Sequence, residues 1–393
     1  GKGFMESLPK IYAIYTGGFL AFFALMAFFE SLGMSAKWIG ILFVLFTLVV
    51  YAFIGVLSRT TAVDAYYVAG RSVPPVFNGM ATAADWMSGA SFVAMAGGIF
   101  MSGHPYMAFI VGWTGGYILI ATLMAPYLRK FGCYTVPDFI GTRYGGKLTR
   151  FCAIVVLVVA SFTYVTAQIT ATGTIAARAF QIPFEVGVWL GLFGILVCSM
   201  LGGMRAVTWT QVAQYIVLIV AYLIPIFWMS IAQGFGFLPH LSYGSAVQRI
   251  MELEPIIGVG TAPTDTVAGL KALTTLHATP PEGALAAWKF VTLVFCMMVG
   301  TASLPHILMR YFTTPSVRDA RNSVAWSLFF IFLLYFSAPA LATFSKLQMI
   351  DPNLPTSIIG ASVDHVLSLE WIQKRSALGM LAIDLFKSRS RLE

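Results

Sequence analysis

The sequence predicts an all-α polytopic membrane protein, and two observations predict it. Hydrophobic residues make up 58% of the chain and charged residues only 10%, and the mean hydropathy is +0.82. A soluble fold needs a more highly charged surface than this composition provides. Apolar runs of about 20 residues, the length that crosses a bilayer as a helix, recur along the chain. The sequence therefore predicts one membrane domain rather than several soluble domains.

About nine transmembrane helices are predicted from these apolar runs. They cover residues 11–33, 37–58, 77–102, 107–128, 150–177, 184–204, 209–232, 287–312 and 324–345. Residues 233–286 contain no run of crossing length and are predicted to form an external loop. Residues 346–393 are predicted to be a tail that does not span, because their best apolar stretch, Ala377 to Phe386, is only about ten residues long.

The distribution of basic residues predicts the orientation. The net charge of +8 does not indicate nucleic acid as a partner, because Lys and Arg are scattered over short loops instead of forming one basic patch. Most of them fall on the side of the N-terminus, among them Arg71, Arg129, Arg143, Arg205 and Arg310. Short cytoplasmic loops are enriched in Lys and Arg, so the N-terminus is predicted to be cytoplasmic.

One acidic residue, Asp85, is predicted to lie well inside a membrane span. A charge at mid-bilayer is costly, so such a residue indicates a functional site by default. Gly79, Gly89 and Ser88 surround it and weaken helices, which predicts an interrupted helix. Unwound backbone at membrane depth can coordinate sodium in transporters. The alternative is that these small residues serve only close packing between helices.

Two further spans carry candidate polar residues. In the fifth span, Tyr164 and Gln168 stand beside a row of threonines and are the stronger candidates for a cavity, although threonines also link membrane helices. In the eighth span, Thr301 and Ser303 precede Pro305, which lacks a backbone donor and predicts a second break.

Enzymatic and metal chemistry are not indicated. The four cysteines, Cys133, Cys152, Cys198 and Cys296, form no CxxC pair and have no histidine at metal-ligand spacing. The sequence contains no GxSxG, HExxH or Walker motif, and no span contains two acids. A transport protein is therefore favoured over a membrane enzyme.

Four segments together resemble the sodium/solute symporter family. They are Tyr66 to Arg71 with Pro74 and Asn78 to Ala81, Thr135 to Ile140 with Arg143 and Tyr144, Gly202 to Thr210, and Pro305 to Leu308 with Arg310. The resemblance covers about 37–345, and the additional span at 11–33 resembles the branch that includes acetate and other short monocarboxylate permeases. One departure is Gln211, where many members of the family have Asp.

The resemblance implies a fold of two inverted five-helix repeats, of which this chain would hold an incomplete set. Its domains would be two accessory helices at 1–58, the first repeat at 77–232, the external loop at 233–286, the first two helices of the second repeat at 287–345, and the tail at 346–393. The first core helix would be broken. The chain is expected to be C-terminally truncated and inactive alone.

The resemblance also implies the ligands of the site. The backbone carbonyls of Ala84 and Met87 match positions that bind a sodium ion in the family, and Ser91 matches a position in the substrate cavity. The full set of predicted substrate-binding residues is Asp85, Ser88, Ser91, Tyr164, Gln168, Thr301 and Ser303.

The expected function is sodium-coupled symport of a small organic anion by alternating access in the bacterial inner membrane. The lipid bilayer is the expected partner, and a small membrane subunit or an oligomer remains an open alternative. A transporter-like membrane sensor is the alternative function, which an attached signalling domain would distinguish. A channel is a third option, although no filter sequence is present.

Overall fold

Helices account for nearly all of the residues described by the computed structural model, which are 8–57, 69, 72–88, 95–132, 134–257, 277–303 and 305–355. No strand occurs within these ranges. The α-helices are α1 Leu8–Ser31, α2 Ala36–Leu57, α3 Pro75–Trp86, α4 Met95–Ser102, α5 Met107–Leu119, α6 Ala125–Phe131, α7 Val136–Tyr144, α8 Lys147–Phe180, α9 Phe184–Ala232, α10 Pro239–Ile257, α11 Ala284–Ala302, α12 Pro305–Leu308 and α13 Val317–Ile350. Turns of 3₁₀-helix at His104–Tyr106 and Met309–Phe312 and a π-helical turn at Ile120–Met124 connect some of them. The all-α prediction is confirmed.

Seven helical stretches among the described residues are long and apolar enough to cross a membrane, where the sequence predicted about nine. They are Leu8–Ser31, Lys37–Leu57, His104–Phe131, Lys147–Ala177, Gly202–Ala232, Ala284–Ala302 and Val317–Ile350. The other two predicted spans are also helical but shorter. Within 77–102 the structure describes α3, which ends at Trp86, and α4, which begins at Met95. Residues 184–204 form the first arm of α9, whose apolar stretch is Phe184–Val197.

The predicted helix breaks coincide with identifiable backbone features. Helix α3 ends at Trp86, and Met87 leaves the helical conformation with φ −77° and ψ 53°. Helix α11 ends at Ala302, just before Pro305. Within α9 the backbone turns sharply at Gly203, whose φ of +55° is a left-handed value that glycine adopts without a Cβ clash. Each break releases backbone carbonyls from the regular helical pattern.

The predicted external loop and tail are partly helical. Helix α10 lies inside 233–286 and buries Ala246, Ile250 and Leu253 on one face. Helix α13 continues to Ile350, past the predicted end at 345. The apolar stretch from Ala377 to Phe386 lies outside the described residues.

The described residues pack into two compact units. The first contains those within Gly1–Gly89, Tyr117–Val220 and Ala302–Ile331. Its core includes Leu8, Val73, Ala81, Trp209 and Val212. Helices α3 and α13 meet closely there, because a Cβ at Gly79 would lie 2.6 Å from the Cβ of Trp326.

The second unit contains the described residues within Ala90–Gly116, Ala221–Thr301 and Phe332–Glu393. A buried ionic cluster joins α10, the segment after it and α13. Glu254 is 4% exposed, and one of its oxygens accepts hydrogen bonds from the backbone N–H groups of His277 at 2.7 Å and Ala278 at 3.0 Å. The other oxygen accepts from the hydroxyl of Thr279 at 2.9 Å. The ammonium of Lys346, 2% exposed, supplies the opposing charge.

His277 is another buried titratable group of this cluster. Its ring is 4% exposed, and its Nε2 lies 3.0 Å from the hydroxyl of Thr343. Burial, and after it the positive charge of Lys346, lowers the pKa of His277 to about 3, while the backbone carbonyl of Ile99 opposes the decrease. The folded protein therefore holds this histidine neutral.

Acidification is expected to destabilise the second unit through His277. In the unfolded chain the ring takes up a proton below about pH 6.5, whereas the folded state excludes that proton until about pH 3. The free energy of unfolding should therefore fall by up to about 1.4 kcal/mol per pH unit below pH 6.5. Thermal unfolding of the wild type and His277→Gln between pH 7.5 and 5.5 measures this effect. The variant should lose less stability than the wild type over that range, and equal losses would contradict the assignment.

Candidate functional site

The predicted intramembrane acid, Asp85, forms an ion pair with Arg310 in the first unit. Asp85 lies in the last turn of α3, and Arg310 lies in the 3₁₀ turn after α12. The Nε of Arg310 donates to one carboxylate oxygen at 2.6 Å, and Nη2 lies 3.4 Å from the other. The side chain of Arg310 is only 1% exposed, and that of Asp85 is 7% exposed. The pair is therefore shielded from water, where it interacts more strongly than a surface pair.

Two residues of α9 complete the hydrogen bonds of Arg310. Its Nη1 donates to the hydroxyl of Thr208 at 2.7 Å, and its Nη2 donates to the side-chain oxygen of Gln211. The cluster thus holds one positive and one negative charge and is neutral overall. An Asp in place of Gln211 would add a second carboxylate against the same guanidinium, so the departure noted in the sequence changes the charge of this cluster.

A buried polar network fixes the first part of α3 beside this cluster. Asn78 is 0% exposed; its amide nitrogen donates to the hydroxyl of Ser323 at 3.1 Å, and its oxygen accepts from the hydroxyl of Thr313 at 3.1 Å. The backbone N–H of Val73 donates to the carbonyl of Thr313 at 3.2 Å. Helix α3 is therefore attached at both ends to the segment that carries Arg310, and Asp85 is held in place.

Two other predicted substrate-binding residues lie beside Asp85. Ser88, just past the end of α3, and Tyr164 on α8 are hydrogen-bonded through their side chains, and Tyr164 is close enough to Asp85 to sense its charge. Gln168 follows one helical turn after Tyr164 and is half-buried. The structure thus brings Asp85, Ser88 and Tyr164 together.

The predicted sodium ligands lie where α3 ends. Ala84 and Met87 are 9% and 6% exposed. Helix α3 stops at Trp86, so the carbonyls of its last turn, including that of Ala84, lack the regular donors of a continuing helix. This end of a helix also carries a partial negative charge. Carbonyl oxygen is a ligand type that sodium accepts in transporters, so the position fits the ion.

The remaining predicted residues are dispersed. Ser91 lies outside the described residues. Thr301, 5% exposed, belongs to the second unit, where a Cβ at Gly116 would lie 2.6 Å from its own Cβ. This contact shows that Thr301 packs at a close helix contact. Ser303 is exposed and belongs to the first unit.

The threonine row on α8 has its hydroxyls satisfied within its own helix. Each hydroxyl donates to the backbone carbonyl four residues earlier at 2.8 to 2.9 Å, as seen for Thr163, Thr166, Thr170 and Thr174. These residues are exposed. The row therefore needs no polar partner on another helix.

Sequence reasoning missed the partner of Asp85 and the two residues that bind this partner. Arg310 is counted above among the basic residues that indicate the orientation, but its side chain is 1% exposed and bound to Asp85. Thr208 was noted only within a motif, and Gln211 only as a departure from the family pattern. One signal could have found Arg310: a buried acid requires a cation, and Arg310 lies inside the predicted eighth span.

Comparisons with known proteins identify the family. The model of the sodium:solute symporter family matches residues 66–365. The chain is 39% identical to an uncharacterized symporter of Cupriavidus necator over 88% of its own length, and 26% identical to a monocarboxylic acid transporter of Corynebacterium glutamicum over 82%. It spans 63% and 57% of the lengths of these two relatives.

A solved structure shares the fold. It is a substrate-bound, outward-open state of a Na⁺-coupled sialic acid symporter, 17% identical to this chain, with a TM-score of 0.58 over 90% of this chain and 68% of that chain. Both the family model and the neighbouring structure describe transporters rather than enzymes, as the sequence predicted. The chain belongs to the sodium:solute symporter family.

Proposed function

We propose that this protein carries out sodium-coupled symport of a small organic anion, with a short monocarboxylate such as acetate as substrate. The observation that carries the proposal is the end of α3, where Ala84, Asp85 and Met87 lie at a helix break beside the buried cation of Arg310. A helix broken at membrane depth is the usual location of ion and substrate sites in secondary transporters.

The charges of the cluster suit an anionic substrate. An unpaired Asp85 carboxylate would repel a substrate carboxylate about 4 Å away by roughly 4 kcal/mol at an effective dielectric constant of 20. Arg310 removes this repulsion, because it neutralises Asp85. The hydroxyls of Ser88 and Tyr164, and the amide of Gln168, could then donate hydrogen bonds to the substrate. The name of one relative, a monocarboxylic acid transporter, supports the same substrate class, and the name of the other, a symporter, supports coupled transport.

Sodium would bind through the carbonyl oxygens of Ala84 and Met87. The electrochemical gradient of sodium across the membrane would drive the substrate inward. The pairing of Asp85 with Arg310 keeps the broken end of α3, and with it these carbonyls, in position.

The proposed topology places the N-terminus in the cytoplasm of a bacterial cell, with the protein in the inner membrane. It rests on the excess of Lys and Arg in the short loops on that side, among them Arg71, Arg129 and Arg143. The proposed division into accessory helices at 1–58, a first repeat at 77–232 and the start of a second repeat at 287–345 rests on the family resemblance.

Uptake of labelled acetate by cells that express the whole protein, as its gene encodes it, tests the substrate and the coupling ion. Uptake should require sodium and should be reduced by unlabelled pyruvate and propionate but not by proline or glucose. Ser88→Ala should raise the acetate concentration needed for half-maximal uptake. Uptake that follows a proton gradient without sodium would refute sodium coupling, and competition by glucose or proline would refute the substrate class.

A further inference from the structure

A lateral groove lies between the first two helices and α9, at one end of the first unit. Its volume is about 670 Å³, within the range of roughly 300–1,000 Å³ that is typical of ligand pockets. Its walls include Tyr12 and Tyr15 on α1, Val49 and Phe53 on α2, and Arg205 and Trp209 on α9. The hydroxyl of Tyr12 donates to the backbone carbonyl of Trp209 at 3.1 Å, which joins two of the walls.

The groove opens toward the lipid side of the helices. Val49 and Phe53 are 66% and 62% exposed, although both line it. Its lining is apolar apart from the tyrosine hydroxyls and the guanidinium of Arg205. Helices α1 and α2 are mostly exposed. The exposed surface of a membrane-spanning helix faces the acyl region of the bilayer.

One end of the groove is expected at the level of the lipid headgroups. Its lining residues come from the first turns of α1 and the last turns of α2, and these ends lie on the same membrane face because the two helices are consecutive spans joined by a short loop. Tyr and Trp side chains, here Tyr12, Tyr15 and Trp209, are typical of this interface. Arg205 stands at the same level, two residues after the sharp turn at Gly203.

None of the described residues balances the charge of Arg205. Its side chain is exposed and forms no ion pair or hydrogen bond with any residue that the structure describes. Lys10, also exposed, precedes the lining residue Ile11 in the chain. An apolar groove with unbalanced cations at headgroup level fits a molecule with an acyl chain and a negatively charged phosphate.

We propose that this groove binds an anionic phospholipid, with one acyl chain between α1, α2 and α9 and the phosphate on Arg205. The lipid would fill the space between the accessory helices and α9 and so join them. In the proposed topology it belongs to the cytoplasmic leaflet. The site is separate from the transport site and does not depend on the transported substrate.

Native mass spectrometry of the purified, delipidated protein tests the proposal. The protein is titrated with equal amounts of phosphatidylglycerol and phosphatidylcholine that carry the same acyl chains. The wild type should retain phosphatidylglycerol about fivefold more strongly, the effect expected for one basic residue near an anionic headgroup. Arg205→Gln should abolish this preference and leave the retention of phosphatidylcholine unchanged. Val49→Phe, which narrows the groove at an exposed position, should lower the retention of both lipids.

The matched control is Arg318→Gln, because Arg318 is another exposed arginine of the first unit and also lacks an ion pair within the described part of the chain. It should keep the wild-type preference. Equal loss of preference in Arg318→Gln, equal retention of the two lipids by the wild type, or no effect of Val49→Phe would overturn the proposal. Displacement of phosphatidylglycerol by millimolar inorganic phosphate would show a free-anion site instead. Unfolding curves confirm that each variant is folded.

Discussion

Replacing Arg310 with glutamine is expected to destabilise the protein by about 3–5 kcal/mol, because it leaves the Asp85 carboxylate buried without a counter-charge. Arg310 also donates to Thr208 and Gln211, so the substitution removes hydrogen bonds from two residues of α9 as well. Chemical unfolding of the purified protein in detergent measures the loss. Asp85→Asn should destabilise by a similar amount, since it leaves the guanidinium unpaired.

The double variant Asp85→Asn with Arg310→Gln separates charge pairing from general damage. It contains no unpaired buried charge, so it should be more stable than either single variant, which is the signature of a direct interaction. The matched control is Arg150→Gln. Arg150 pairs with Asp138, but its side chain is 58% exposed, and such surface pairs contribute less than about 1 kcal/mol. Losses of equal size for Arg310→Gln and Arg150→Gln would contradict a buried, coupled pair.

Removing the Glu254 side chain is the second large effect that we expect. Glu254→Ala leaves the N–H groups of His277 and Ala278 and the hydroxyl of Thr279 without their acceptor, and it leaves the buried Lys346 without the nearby negative charge. An uncompensated buried charge costs about 3–5 kcal/mol, and unpaired buried donors add to that cost. Hydrogen exchange of residues 277–279 should accelerate, because the carboxylate is their common partner.

Glu252 provides the control for Glu254 on the same helix. Its side chain is 57% exposed and it pairs with Arg249 three residues earlier. Glu252→Gln should therefore change the unfolding free energy by less than about 1 kcal/mol. If Glu252→Gln were as damaging as Glu254→Ala, the loss would reflect the charge of α10 as a whole and not the buried cluster.

The positions of the membrane helices could be predicted because a bilayer imposes strong rules. Every backbone polar group in the hydrocarbon must be satisfied, so crossing segments are helical and apolar over a defined length. The end of α11 at Ala302 was predictable from Pro305, and the end of α3 at Trp86 from the small residues around Asp85. Helix α10 was not predicted, because its single buried face is too short and too polar to form a crossing run.

The partners of the site could not be predicted from hydropathy. Asp85 and Arg310 are 225 positions apart, and nothing in the local sequence states which helices meet. Arg310 follows a predicted break near a span end, where a long cationic side chain usually reaches the aqueous interface. Burial reverses that interpretation, because the guanidinium is the counter-charge that Asp85 requires. Gln211 was conspicuous only as a departure from the family pattern until its contact with Arg310 was seen.

The most direct test of the account is accumulation of labelled acetate in proteoliposomes that contain the whole protein, under an inward sodium gradient. Sodium-coupled transport at the end of α3 predicts uptake above the level of the outside solution. This uptake should be lost when potassium replaces sodium or an ionophore collapses the gradient, and it should be absent in Asp85→Ala. Accumulation that persists without a sodium gradient, or that is normal in Asp85→Ala, would contradict sodium-coupled transport at the end of α3.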